Sequence, residues 1–269
     1  MNDILTSLLA AGCVFTGGLV GLQLHRVLPD HHLTKETLDV IRLGTGMVSV
    51  LASLVFGLLI ATAKSASDTA DREMRAYAAE TILLDRSLRS YGEDAARPRA
   101  LLRRATGRML QDLWPGQGGR FVGIDDASAG AWLEQVRDAI EGLETTEPRR
   151  IWLRQQALQS STALLRQRWT MIEQAGPNVR PVILGVLILW TVVILASFGL
   201  NSPCNGTVVG AFLIIALVIG GAVFLILEMD NQFEGILRLS EQPLLRALSE
   251  MGEGFAGLDQ SEAAPAAPD

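Results

Sequence analysis

Hydrophobic and polar positions divide this chain into two regimes. Four apolar runs, residues 4–24, 41–63, 181–200 and 206–227, carry no charge near their centres. At about 1.5 Å of rise per residue, each is long enough to cross a hydrocarbon layer of about 30 Å. Between the second and third runs the pattern becomes amphipathic. Ala70, Met74, Tyr77, Thr81, Leu84, Leu88 and Tyr91 keep a helical period, so the second run is predicted to continue as one rod to Tyr91-Gly92. Leu102, Ala105, Met109 and Leu113 mark a helix that has Pro98 near its start and stops at Trp114-Pro115-Gly116. Trp132, Val136, Ile140 and Leu143 mark another, with Asp126 or Ser128 as its cap. In the helix that Pro148 opens, Ile151, Leu158, Leu165 and Ile172 repeat at heptad spacing, suited to packing within one subunit or between subunits. A short helix starts at Pro243, and the Ala- and Pro-rich tail from Ser261 has the composition of a disordered segment.

The predicted fold class is an all-α membrane protein. It has four transmembrane helices and a cytoplasmic helical domain between the second and third spans. The segments are 1–64, a first membrane hairpin; 65–177, the cytoplasmic domain; 178–228, a second hairpin; and 229–269, a cytoplasmic C-terminal segment. The first run lacks a basic leader and is followed by a second span, so it reads as a retained helix and not a cleaved signal. Residues 34–39, in the polar loop after it, read as a separate turn of helix.

Composition agrees: 49% of residues are hydrophobic. The net charge of −6 conceals an uneven distribution. Eighteen of the 23 Lys and Arg lie from Lys64 to Arg180, beside sixteen acidic residues. That mixture is a solvated protein surface and not a nucleic-acid-binding arm, and the bias toward one side of the membrane places both termini and the middle domain in the cytoplasm. Expected partners are membrane lipid, further copies of this chain and small inorganic ions, with no nucleic acid.

The second run has two unlike faces. Gly46, Ser49, Ser53, Gly57 and Ala61 form a small stripe, while Met47, Leu51, Leu54 and Leu58 form a bulky one. A small stripe lets another helix approach closely, or lines a pore shared by several copies. Close packing is the commoner use of such a stripe. Arg42 and Lys64 stand at the two ends, as pore mouths in a ring or as simple interfacial anchors.

Candidate chemistry is sparse. HExxH, GxSxG, CxxC and nucleotide fingerprints are absent, and the Gly-rich stretch 117–125 lacks the Lys and Ser of a phosphate loop, so the chain reads as a non-enzyme without a cofactor. His25, His31 and His32 share one loop without a standard ligand spacing, and no metal site is assigned to them. Cys13 and Cys204 read as unpaired. With no ionisable group at mid-membrane, coupled transport is disfavoured, whereas a passive pore needs only hydroxyls, small residues and charged mouths.

The pattern Asp85-Arg86-x-Leu88-x-x-Tyr91-Gly92, the Leu113-Trp114-Pro115 stop, and Glu228-x-Asp230-x-x-Phe233-x-Gly235 after the last span resemble the bestrophin-like membrane proteins of bacteria. They are distantly similar to bestrophin channels. The resemblance runs from the second span to about Leu248. It implies a homopentamer in the bacterial inner membrane that conducts ions, anions first, through a pore lined by the second span. Candidate pore-lining residues are then Ser49, Ser53 and Gly57 or Leu51, Leu54 and Leu58. Glu228, Asp230 and Phe233 form an inner-edge group for gating or structure, with Arg86 or Arg89 as partners for the acids. Residues 231–235, Asn-Gln-Phe-Glu-Gly, are similar to the Asn-Pro-Phe stretch that follows the last bestrophin span. Gln232 replaces its proline and few acids remain of its calcium clasp, so no metal is assigned. The alternative reading is a non-conducting membrane scaffold whose cytoplasmic helices recruit a partner.

Overall fold

The computed structural model describes residues 2–29, 34–114, 127–174, 181–230 and 239–252. Among them the chain is helical throughout: α1 Asn2–Val27, α2 Lys35–Tyr91, a 3₁₀ turn Glu93–Ala95, α3 Ala96–Leu113, α4 Ala127–Glu141, α5 Pro148–Gln174, α6 Pro181–Leu200, α7 Gly206–Asp230 and α8 Gln242–Glu250. Four of these, α1, α2, α6 and α7, are long and apolar enough to cross a membrane. The chain divides into two compact units, one of Met1–Ser67 with Pro177–Arg238 and one of Asp68–Gly176 with Leu239–Asp269.

α2 is the rod that the sequence predicts, and it is longer than expected. Its 57 residues contain no proline, so nothing interrupts the backbone ladder for about 85 Å. The helix opens after Thr34, whose Oγ1 accepts the Thr37 amide at 3.4 Å. The turn expected at 34–39 is therefore the start of α2 and no separate element. At the far end Gly92, with φ of 113°, takes a conformation that side-chain-bearing residues avoid, and stops the helix. α7 likewise runs past the predicted Leu227 to Asp230, placing Glu228 and Asp230 inside its last turn. α4 begins at Ala127, so Ser128 lies within the helix and is not its cap, and Asp126 lies outside the described residues.

The first unit is held by close backbone approach. α6 and α7 both pack chiefly on α1 and not on each other, a departure from the simple hairpin pairing of neighbouring spans. The cause is the glycines. A Cβ at Gly17 would sit 2.8 Å from Val192 Cγ1, one at Gly18 would sit 2.8 Å from Phe212 Cδ2, and one at Gly220 would sit 2.8 Å from Ala11 Cβ. Lipid is as apolar as leucine, so such contact, more than exclusion from water, joins helices in a bilayer. Val14, Leu22, Leu195 and Phe212 fill the space between these helices. α2 joins through Ala52 and Leu59, which pack with Leu187 and Ile226. Asn205 Oδ1 caps α7 by accepting the Val208 amide at 2.9 Å, and His25 Nδ1 lies 2.8 Å from the Leu200 carbonyl at the end of α6.

The second unit is built on the predicted stripe of α2. Met74, Tyr77, Thr81, Leu84, Leu88 and Tyr91 are all buried, as are Leu102, Met109 and Leu113 of α3 and Val136 and Ile140 of α4. Here burial from water supplies the stabilisation, about 1.5–3 kcal/mol for each large side chain. On α5 the buried apolar positions are Leu153, Ala157, Leu164 and Met171. The heptad Ile151, Leu158, Leu165 and Ile172 lies to one side of them, half-buried. In α4, Leu133 takes the buried place expected of Trp132.

Burial pushes the Tyr77 phenol up from its usual 10.0 to about 12, partly offset by the Arg168 guanidinium. A phenol with a raised folded pKa contributes stability that is fully present below about pH 10 and lost as pH rises toward about 12. Ultraviolet titration of phenolate absorbance should therefore show a late ionisation phase that disappears in Tyr77→Phe.

Candidate functional site

The membrane stretch of α2 packs on its own chain through neither predicted stripe. Thr45, Ala52, Leu59 and Ala63 are buried, a third face of the helix. Apart from half-buried Ser49, the two stripes are exposed. Leu54 is 69% exposed and Leu58 65%, and no described atom lies within 4 Å of where a Cβ would sit at Gly46 or Gly57. The small stripe is thus not a packing surface for the chain's own described helices. Of the four membrane-compatible helices, α2 is the least covered.

At about 100° per residue, Arg42, Gly46, Ser53, Gly57 and Lys64 fall on one strip, with Ser49 at its border. Leu51, Leu54 and Leu58 fall on another, about a third of a turn away. The charges at both ends of the span thus belong to the small face. Ser49 Oγ donates to the Thr45 carbonyl at 2.8 Å, and Ser53 Oγ to the Val50 carbonyl at 2.8 Å. With those protons engaged, the serines turn lone pairs and small apolar surface outward. Neither serine holds an unsatisfied hydroxyl proton.

Glu228 lies in the first unit with α2's membrane stretch and is buried, 3% exposed, while Asp230 is half-buried. Phe233 lies outside the described residues, as do His31, His32 and residues 117–125. Arg86 and Arg89 belong to the second unit. Arg89 Nη2 donates at 3.0 Å to Asp85 Oδ2 and at 3.0 Å to the Glu250 carbonyl, and Arg86 Nη2 stands 3.7 Å from Glu250 Oε2. Among the described residues no group of three His, Cys, Asp or Glu converges as a metal set.

The residues that carry the sequence resemblance in the second unit prove to be its joints. Asp85, 2% exposed, accepts from Arg99 Nε at 2.9 Å as well as from Arg89, tying α2 to α3. The Tyr91 hydroxyl donates to the Glu144 carbonyl at 3.4 Å, and the Arg150 guanidinium lies 5.4 Å from the centre of the Tyr91 ring. Arg150 also binds Asp94 at 2.8 Å. Trp114 Nε1 donates to the Leu239 carbonyl at 2.9 Å, and Arg103 Nη2 donates to the Met251 carbonyl, so α3 grips both ends of the segment that holds α8. Sequence reasoning missed Arg99 and Arg103. Their signal was an arginine on the stripe side of α3, which is easily read as one more surface charge.

The family model of the bestrophin-like domain matches residues 12–244, most of the chain. No curated protein matches it.

Proposed function

The chain belongs to the bestrophin-like family, and from that premise we propose that it is a passive ion channel, a homopentameric ring in the bacterial inner membrane, with both termini and the second unit in the cytoplasm. One observation supports this most: the membrane stretch of α2 leaves two faces largely uncovered by the described residues of its own chain, and one of them bears serines, glycines and a basic residue at each end. A ring of copies gives both faces a use. One lines the lumen and the other meets the neighbouring subunit.

The small face is the lumen face in this reading. Rings of Arg42 and Lys64 draw anions to the two mouths. The serines, whose protons are engaged by backbone carbonyls, leave an anion its hydration shell and do not replace it. Conduction is then passive and needs no enzyme chemistry, cofactor or mid-membrane ionisable group. Glu228 and Asp230 hold the inner edge of the membrane unit.

Bilayer recording of purified protein tests the proposal, with single-channel steps and fivefold particles expected. Silence across several ions would favour the non-conducting scaffold. For the face, single cysteines at Ser53 and Leu54 are compared after thiol modification. Block at Ser53 with little change at Leu54 is expected. Block at Leu54 alone would make the lumen a leucine neck that gates by dewetting, and no effect at either would take α2 out of the pore.

A further inference from the structure

In the second unit a groove of about 380 Å³ runs between α2 and the start of α8. Its floor is apolar, from Ala78, Ala79 and Ile82 of α2 and Pro243 of α8, and its rim carries Arg75 and Arg246, with no acidic residue among the described lining residues. Arg75 Nε is bonded to Asp71 at 2.9 Å, which leaves the outer guanidinium nitrogens as further donors. The complementary occupant is an acidic segment with a few large apolar side chains.

The chain supplies one. Residues 253–269 contain Glu253, Asp259, Glu262 and Asp269, no Lys or Arg, and two large apolar residues, Phe255 and Leu258. The segment leaves α8 at Gly252, whose φ of 89° is the left-handed turn that reverses a chain at a helix end, and whose amide donates to the Ser249 carbonyl at 3.0 Å. From Arg246 to Gly252 is about 9 Å along a helix axis. An extended chain covers about 10 Å in three residues and about 20 Å in six, so Phe255 reaches back to Arg246 and Leu258 to Pro243.

We propose that the stretch 253–262 of the chain's own C-terminal segment docks in this groove, with Phe255 and Leu258 on the apolar floor and Asp259 and Glu262 against Arg75 and Arg246. The segment thereby fastens the C-terminus to α2.

The test uses the full chain with Cys13→Ala and Cys204→Ala, both native cysteines being exposed. A bimane label on Leu258→Cys is compared with one on Ala267→Cys. Blue-shifted emission at position 258, with several-fold less quenching by iodide than at 267, is expected. Arg75→Glu with Arg246→Glu should return it to water-like emission. So should Asp259→Lys with Glu262→Lys, changes that leave every described helix untouched. Equal emission at the two positions, or a blue shift that survives both sets of reversals, overturns the proposal. A bismaleimide bridge from Leu258→Cys to Ile82→Cys should form within one chain; a bridge only between chains would give the groove to a neighbour's segment and overturn the assignment.

Discussion

Gly21→Leu is expected to remove folded protein from the membrane fraction almost completely, while Gly57→Ala leaves the yield unchanged. At Gly21 even a Cβ would fall inside the Ala196 carbonyl oxygen and 2.8 Å from its carbon, both rigid backbone atoms of α6. Gly199 on α6 meets the Gly18 carbonyl and the Leu22 nitrogen in the same way. Overpacking a side-chain contact costs about 1–3 kcal/mol, and here two backbones must separate, so the cost lies at or beyond the top of that range. Gly57 has no described neighbour within 4 Å, and alanine there adds helix propensity without a clash inside the chain. Fluorescence-detected gel filtration of detergent extracts separates the two outcomes. If Gly21→Leu yields a normal peak, the close contact of α1 with α6 is not what holds the first unit. Gly57→Ala also has a second use: a changed particle size or conductance with an unchanged yield would place the small face at a subunit contact or in the lumen.

The same glycines show which parts of the fold the sequence discloses. Spans and rods were legible because charge exclusion and helical period are local properties, so α3, α6, the far end of α2 and the stripe from Met74 to Tyr91 lie where the pattern puts them. Partner choice was not legible. The GxxxG spacing of Gly17 and Gly21 suits a close helix contact, but which helix answers it depends on Val192, Ala196 and Gly199, nearly 180 residues away. The heptad of α5 suits packing within one subunit or between subunits, and within this chain the buried positions lie to one side of it. A helix of mixed apolar and polar surface offers several stripes, and only its neighbours choose between them. At the candidate site, the two unlike faces of the second span were visible as composition. That a third face does the packing followed only from where Leu187 and Ile226 stand.

Asp85→Ala is expected to destabilise the second unit by about 3 kcal/mol, because removing one partner of a buried ion pair strands the other. Asp85 is almost wholly buried, and Arg99, with its side chain 22% exposed, cannot turn its guanidinium freely to water. Arg89, at 53% exposed, can do so and adds little. The size of the effect therefore depends on Arg99. Asp85→Ala should lower the melting midpoint of the second unit's helices by roughly 10 °C, read by limited proteolysis on heating. Arg89→Ala should move it only slightly. Asp85→Leu combined with Arg99→Leu should recover much of the loss, since two apolar groups of similar volume often replace a buried pair at no net cost. If the double variant is as unstable as Asp85→Ala alone, the pair acts through geometry and not charge, fixing the angle at which α3 leaves α2. The carbonyl grips of Arg89 on Glu250 and Arg103 on Met251 would then be the next contacts to lengthen.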